Sequence, residues 1–129
     1  MTFKTVAVVT AAVTLVLGAG YLLAGSLLIG RWQIEPTETV LLMGRRMGAL
    51  YLGLSVIFFL ARSVVASVAR TALCVGTVVT CSLLALLGAF ELSAGRVGPG
   101  ILASVAIETM LALAYLRLLV TERKVAAAT

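Results

Sequence analysis

Four long apolar runs, parted by short polar or glycine-rich stretches, constrain this chain more than any other feature. They lie at about 5–29, 37–66, 70–92 and 99–121. A hydrocarbon layer about 30 Å thick takes roughly 20 helical residues to cross, and each run is long enough to do so. In lipid the backbone must satisfy its own hydrogen bonds, which a helix does within one segment. Composition agrees, with 62% hydrophobic and 12% charged residues among 129 and a mean hydropathy of +1.19. The fold class that follows is all-α: a polytopic membrane protein, one antiparallel four-transmembrane-helix bundle with both termini cytoplasmic.

The boundaries come from local signals. Lys4 and the apolar residues after it resemble a signal peptide, but Val6–Ile29 exceeds the roughly 7–15 residues of a signal's apolar region and reads as a first span. In GRWQIEPT, Trp32 suits a membrane interface and Pro36 marks a helix boundary. The second run has two candidate starts. Met47 would leave Arg45 and Arg46 in a long loop, and such loops are uncommon. Thr37 instead supplies an N-cap, with Glu38 favourably placed in the first turn. The start at Thr37 is preferred; it puts both arginines inside the helix and Arg62 at the opposite interface. SAGRVGPG is a turn, Pro99 is a good first-turn residue for the fourth helix, and the tail ERKVAAAT frays.

Net charge is +5, but the basic residues form no run longer than Arg45-Arg46 or Arg123-Lys124, so nucleic acid is not the implied partner. Lys4, Arg62, Arg70, Arg117, Arg123 and Lys124 fall on the side of the two termini. With Arg45 and Arg46 inside a helix, only Arg31 and Arg96 oppose them. The positive-inside bias then makes the termini cytoplasmic, in a multi-pass protein of the cell's inner membrane. The chain contains no His, which removes His-ligated haem, His-metal centres and a His general base. Cys74 and Cys81 on one helix would be about 10.5 Å apart along its axis, too far to bridge, and read as packing residues. No catalytic set, metal site or cofactor is expected.

One level of the bundle gathers polar groups. Glu108 lies nine residues past Pro99, about 13 Å into the fourth helix. Arg46 lies equally far past Thr37, Tyr21 eight residues before Ile29, and Cys81 and Ser82 some ten before Leu92. Spacings of three and four align Ser104, Glu108, Ala112 and Tyr115 on one face. Likewise aligned are Thr10, Thr14, Gly18, Tyr21 and Gly25; Cys74, Thr77, Cys81 and Gly88; and Arg45, Gly48, Leu52, Ser55 and Phe59. Small and weakly polar stripes mark helix contacts in lipid. A charge at this depth costs several kcal/mol and is usually paired. Glu108 is therefore expected either to be ionised against Arg45 or Arg46, with Tyr21 as a further donor, or to be protonated. Two arginines against one carboxylate would leave a positive charge for a lipid phosphate or small anion. The candidate site is Glu108, Arg45, Arg46, Tyr21, Ser104 and Tyr115. Glu91 beside Arg96 reads as a plain interface pair.

The segments MGRRMGALYLGLSVIFF and AGRVGPGILASVAIETMLALAYL resemble small bacterial four-helix membrane proteins of the broad DoxX-like type. The shared features are a basic residue entering the second helix before a Gly/aromatic run, a Gly-Arg-Pro-like turn, and an acidic residue in the last helix. The resemblance covers about residues 40–120 and implies the four-helix architecture. The quinone-coupled sulfur oxidation linked to some DoxX proteins finds no supporting residues here.

Three functions are compatible with these residues. The first is a non-enzymatic accessory or interaction subunit, partnered by membrane lipids and by a larger membrane protein or further copies of itself, with a lipid or small anionic ligand at the Arg/Glu/Tyr cluster. The second is a small proton-coupled transporter using Glu108. The third, a quinone- or lipid-linked enzyme subunit, has the least support, because no nucleophile lies beside a base.

Overall fold

The computed structural model describes residues 2–126, with side chains through Glu122. The chain forms α1 (Phe3–Leu23), α2 (Gly25–Gly30), α3 (Glu38–Ala61), α4 (Val68–Ser93), a 3-10 turn at Pro99–Ile101, and α5 (Leu102–Ala126). Four stretches, Phe3–Leu23, Glu38–Ala61, Val68–Ser93 and Pro99–Glu122, are helices long and apolar enough to cross a membrane. Hydroxyl caps begin three of them. Thr2, Thr37 and Ser67 accept from the backbone N–H groups of Thr5, Val40 and Arg70 at 3.3, 3.4 and 3.3 Å, satisfying donors that a helix start leaves unpaired.

Three boundaries differ from the sequence reading. The first helix is not continuous from 5 to 29 but breaks at Ala24, whose φ of −139° and ψ of 36° leave the helical region. Gly20 and Gly25 weaken the helix here, and the bend lets the Leu28 side chain settle over Gly20, 2.9 Å from where a Cβ would stand. Residues eight apart on a straight helix are separated by about 12 Å, so this contact requires the bend. The second helix stops at Ala61 rather than near 66, because the Arg62 guanidinium folds back to donate to the Phe59 carbonyl while lying over the Phe59 ring. The fourth runs past 121 to Ala126. Residues 127–129 of the tail, and the side chains of Arg123 and Lys124 invoked for orientation, lie outside the described residues.

The long helices pack as two antiparallel pairs, α1 on α3 and α4 on α5. Within the first pair, a Cβ on Gly18 would lie 2.9 Å from the Gly48 carbonyl and one on Gly48 2.9 Å from the Gly18 carbonyl. The backbones meet there because neither residue has a side chain. Ser55 Oγ donates to the Ala11 carbonyl at 2.8 Å across the same pair. In the second pair, Gly88 receives Val105 and Ile101, and Arg70 of α4 pairs with Glu122 of α5.

The two pairs are fastened to each other at both ends. At the end where α1 begins, Phe3, Val6, Ala7, Ala11, Phe58, Cys74, Tyr115 and Leu118 form the buried core. Tyr115 is fully buried, shares a 2.9 Å hydrogen bond with Thr10 and packs at 5.9 Å between ring centroids on Phe58. At the opposite end the Gly98 N–H donates to the Trp32 carbonyl at 2.6 Å, and Gly100 sits directly against the Arg31 carbonyl, where no side chain would fit. Of the long helices it is α1 and α5 that meet across the pairs, whereas α3 and α4 scarcely touch. Large apolar side chains such as Val16, Leu50, Leu60, Leu83, Leu86 and Met110 point outward. A helical bundle with that surface is built for lipid.

Candidate functional site

Because the pairs join only at their ends, a cavity of about 470 Å³ separates them, with walls from all four long helices. Helical periodicity delivers the lining. Thr10, Thr14 and Tyr21 come from α1; Tyr51, Leu54 and Phe58 from α3; Thr77, Thr80, Cys81 and Leu84 from α4; Ser104, Glu108 and Leu111 from α5. Each set repeats at three or four residues or multiples of a turn, so it occupies one face. The volume falls in the roughly 300–1,000 Å³ range of sites that take small organic molecules. Leu54, Gly76 and Thr80 line the cavity yet are exposed, which places its mouth at the seam between α3 and α4.

An aromatic group forms one end. Tyr21 stacks on Tyr51 with centroids 6.1 Å apart and planes at 12°, and meets Trp32 edge-on at 6.4 Å and 67°. Tyr21 and Trp32 would be about 16 Å apart along an unbroken helix. The break at Ala24 and the Gly98–Trp32 hydrogen bond bring the indole back over the cavity. Ring faces carry negative electrostatic potential.

The polar atoms fall into two groups. Thr10, Thr14 and Thr77 donate to carbonyls four residues earlier on their own helices, at 2.9, 2.8 and 2.7 Å, so their donors are satisfied within the protein. Among the described residues, Glu108, Tyr21, Tyr51, Thr80 and Ser104 have no side-chain hydrogen-bond partner, and Glu108 has no ion-pair partner. These five, with the Trp32 indole N–H and the free Cys81 thiol, have capacity left for something in the cavity. Among the described residues no Lys or Arg lines it. Also among the described residues, no three of His, Cys, Asp and Glu come together as metal ligands.

The expected site is thus only partly assembled. Glu108, Tyr21 and Ser104 share the cavity wall. Tyr115 lies in the core beyond it, its hydroxyl bonded to Thr10. Arg45 and Arg46 are exposed and absent from the lining, so neither pairs with Glu108. The ion pairs of the described residues are Arg70–Glu122 and Arg96–Glu91, the latter two-pronged with Nε–Oε2 at 2.6 Å. The reason is the rotation of α3. Its buried line is Gly44, Gly48, Ser55 and Phe58, not the line through Arg45 and Phe59. A Cβ on Gly44 would stand 3.3 Å from Ile29 and 3.4 Å from the Tyr21 ring. With the backbones that close, Arg45 and Arg46, turned by about 100° and 200° from Gly44, are carried outward.

Tyr51, Phe58, Thr80 and Trp32 were not among the expected site residues. The small pair Gly44-x-x-x-Gly48 is a recognised close-contact signal and would have shown which face of α3 looks inward, bringing Tyr51 and Phe58 with it. Nothing in the local sequence signals that Trp32 returns to the cavity. Compared with protein-family models, curated proteins and solved structures, the chain gives no match.

Proposed function

We propose that this chain is a non-enzymatic, multi-pass protein of the cell's inner membrane, with both termini cytoplasmic. In this reading it binds an apolar molecule bearing a cationic group in the cavity between its helix pairs. One observation supports the reading above others: among the described residues Glu108 is the sole charged one of a cavity whose remaining walls are mostly aromatic, aliphatic and hydroxyl-bearing. A carboxylate without a partner is costly at such depth, and a bound cation offsets that cost. The faces of Tyr21, Tyr51 and Trp32 add cation–π attraction, worth about 2 kcal/mol or more once desolvated. An anionic ligand, expected while the arginines were placed inside, is disfavoured by the same geometry. The likeness to DoxX-like proteins remains part of the proposal for architecture and carries no activity with it.

The chain has one Trp, and it lines the cavity, so its emission reports occupancy. Titrating the purified protein in lipid nanodiscs with tetraphenylphosphonium is expected to change Trp32 emission saturably. Tetraphenylborate, matched in size and opposite in charge, should give no saturable change. Glu108→Gln should weaken the cation's binding about tenfold or more, the scale of losing a charge-assisted contact of at least 1.4 kcal/mol. Equal binding by the folded Gln variant, or preference for the borate, would sink the proposal.

A second reading, an accessory subunit of a larger membrane assembly, draws on Arg45 and Arg46. They are exposed in the third turn of a helix apolar enough to span, where carboxylates of a neighbouring membrane protein would relieve them. Neutralising both should then release a co-purifying membrane protein without unfolding the bundle. Unchanged co-purification would exclude that role for the pair.

A further inference from the structure

At the end of the bundle where α1 starts and α5 finishes lies a second cavity, of about 520 Å³, separate from the one at Glu108. Its lining is opposite in character. Among the described residues, Lys4, Arg62 and Arg70 bring three positive charges against the one negative charge of Glu122, while Val65 and Leu118 supply apolar wall. The cations come from α1, from the turn after α3 and from α4, so the fold converges them from three separate parts of the chain.

Arg70 is the central group. Its guanidinium lies 4.6 Å over the Phe3 ring and one terminal nitrogen pairs with Glu122, which holds the side chain in place. Its Nε–H is buried with no hydrogen-bond partner. The side chain as a whole stays 18% accessible, beside a net-positive cavity that it lines. Guanidinium groups favour phosphate oxygens, which they bind through paired, charge-assisted hydrogen bonds. Basic pockets between membrane helices close to the interface are also where lipid headgroups lodge.

We propose that this cavity holds the phosphate of an anionic phospholipid. The accessible part of the Arg70 guanidinium donates to a phosphate oxygen, Lys4 and Arg62 provide the surrounding positive field, and an acyl chain continues along Val65 and Leu118. The apolar wall favours a lipid over free phosphate, because inorganic phosphate gains nothing from it. The site is independent of the cavity at Glu108, and neither proposal requires the other.

The experiment uses the full chain, purified in mild detergent and offered phosphatidylglycerol or phosphatidylcholine, with retained lipid counted by native mass spectrometry. Wild type should keep phosphatidylglycerol preferentially. Lys4→Gln with Arg62→Gln should lower that preference by about fivefold per cation removed, following the usual contribution of a basic residue near an anionic surface. Arg70→Lys retains the charge and a partner for Glu122 but lacks the planar fork of donors, and it should also lose preference. Arg31→Gln with Arg96→Gln, exposed at the opposite end of the bundle, should leave that preference unchanged. Folding of each variant is followed by helical circular dichroism and gel filtration. Wild-type retention by both folded cavity variants would overturn the proposal. So would an equal loss in the Arg31/Arg96 variant, which would reveal diffuse charge attraction. Displacement of the lipid by millimolar inorganic phosphate would overturn the lipid in favour of the free ion.

Discussion

The two halves of the bundle use similar side chains to opposite ends. In the half nearest the start of α1, Thr10, Tyr115 and Ser55 direct their hydroxyls to one another or to carbonyls, and Phe58, Cys74 and Leu118 fill the remaining space. In the other half, Tyr21, Tyr51, Ser104 and Glu108 stand around an opening with their polar atoms unused. The difference lies in how close the helix pairs come. Tyr115 reaches across from α5 to Thr10 of α1 and draws the pairs together, and no residue performs that bridge at the level of Glu108. Polar groups in a membrane bundle stabilise it where they find partners inside it, and where they do not they define a place for a ligand.

That contrast is open to test by substitutions of graded effect. Tyr115→Ala should be the most damaging, since truncating a fully buried aromatic costs about 3–5 kcal/mol. Reversible unfolding in micelles would read the loss, and a cost no greater than that of an outward-facing Leu would show that the closed half is not closed. Gly48→Val follows, at about 1–3 kcal/mol, because the new Cβ would lie 2.9 Å from the Gly18 carbonyl with no flexible atom to give way. A smaller loss is expected for Ser55→Ala, near the roughly 0.6 kcal/mol average for hydrogen bonds between membrane helices. Glu108→Gln should cost no stability and bring a gain instead, because it removes an unpaired carboxylate at depth and orphans no buried partner. A collapse of the folded protein in that variant would show that Glu108 belongs to the structural half of the comparison after all.

The architecture was legible because its signal is redundant. Four apolar runs, each closed off by Pro, Gly or charge, admit few alternatives in lipid, and the spacing of Thr10, Thr14, Gly18 and Tyr21 identified a face of α1 that the structure turns toward α3 and the cavity. The site was less legible because depth and direction are separate coordinates. Counting residues from the helix ends put Arg46 level with Tyr21 and Glu108, but said nothing of its bearing around the axis. That bearing is decided by Gly44 and Gly48 meeting Tyr21 and Gly18, a contact between non-neighbouring helices. Trp32 escaped for a different reason. A break at Ala24 depends on Leu28 finding space over Gly20, and no local propensity encodes where the chain goes afterwards.

The pairing of α1 with α3 and of α4 with α5 also bears on how the molecule is made. Each pair joins helices adjacent in the sequence or parted only by the short α2, so each is a hairpin that can form as soon as its second helix emerges. The first hairpin is complete before α4 is synthesised, and chains generally acquire structure in that order. The cavity is then the seam between two hairpins assembled at different times, joined late by Tyr115 and by the Trp32–Gly98 bond. Its width becomes a property of the final docking step, so lipids and ligands present during biogenesis meet it before it closes.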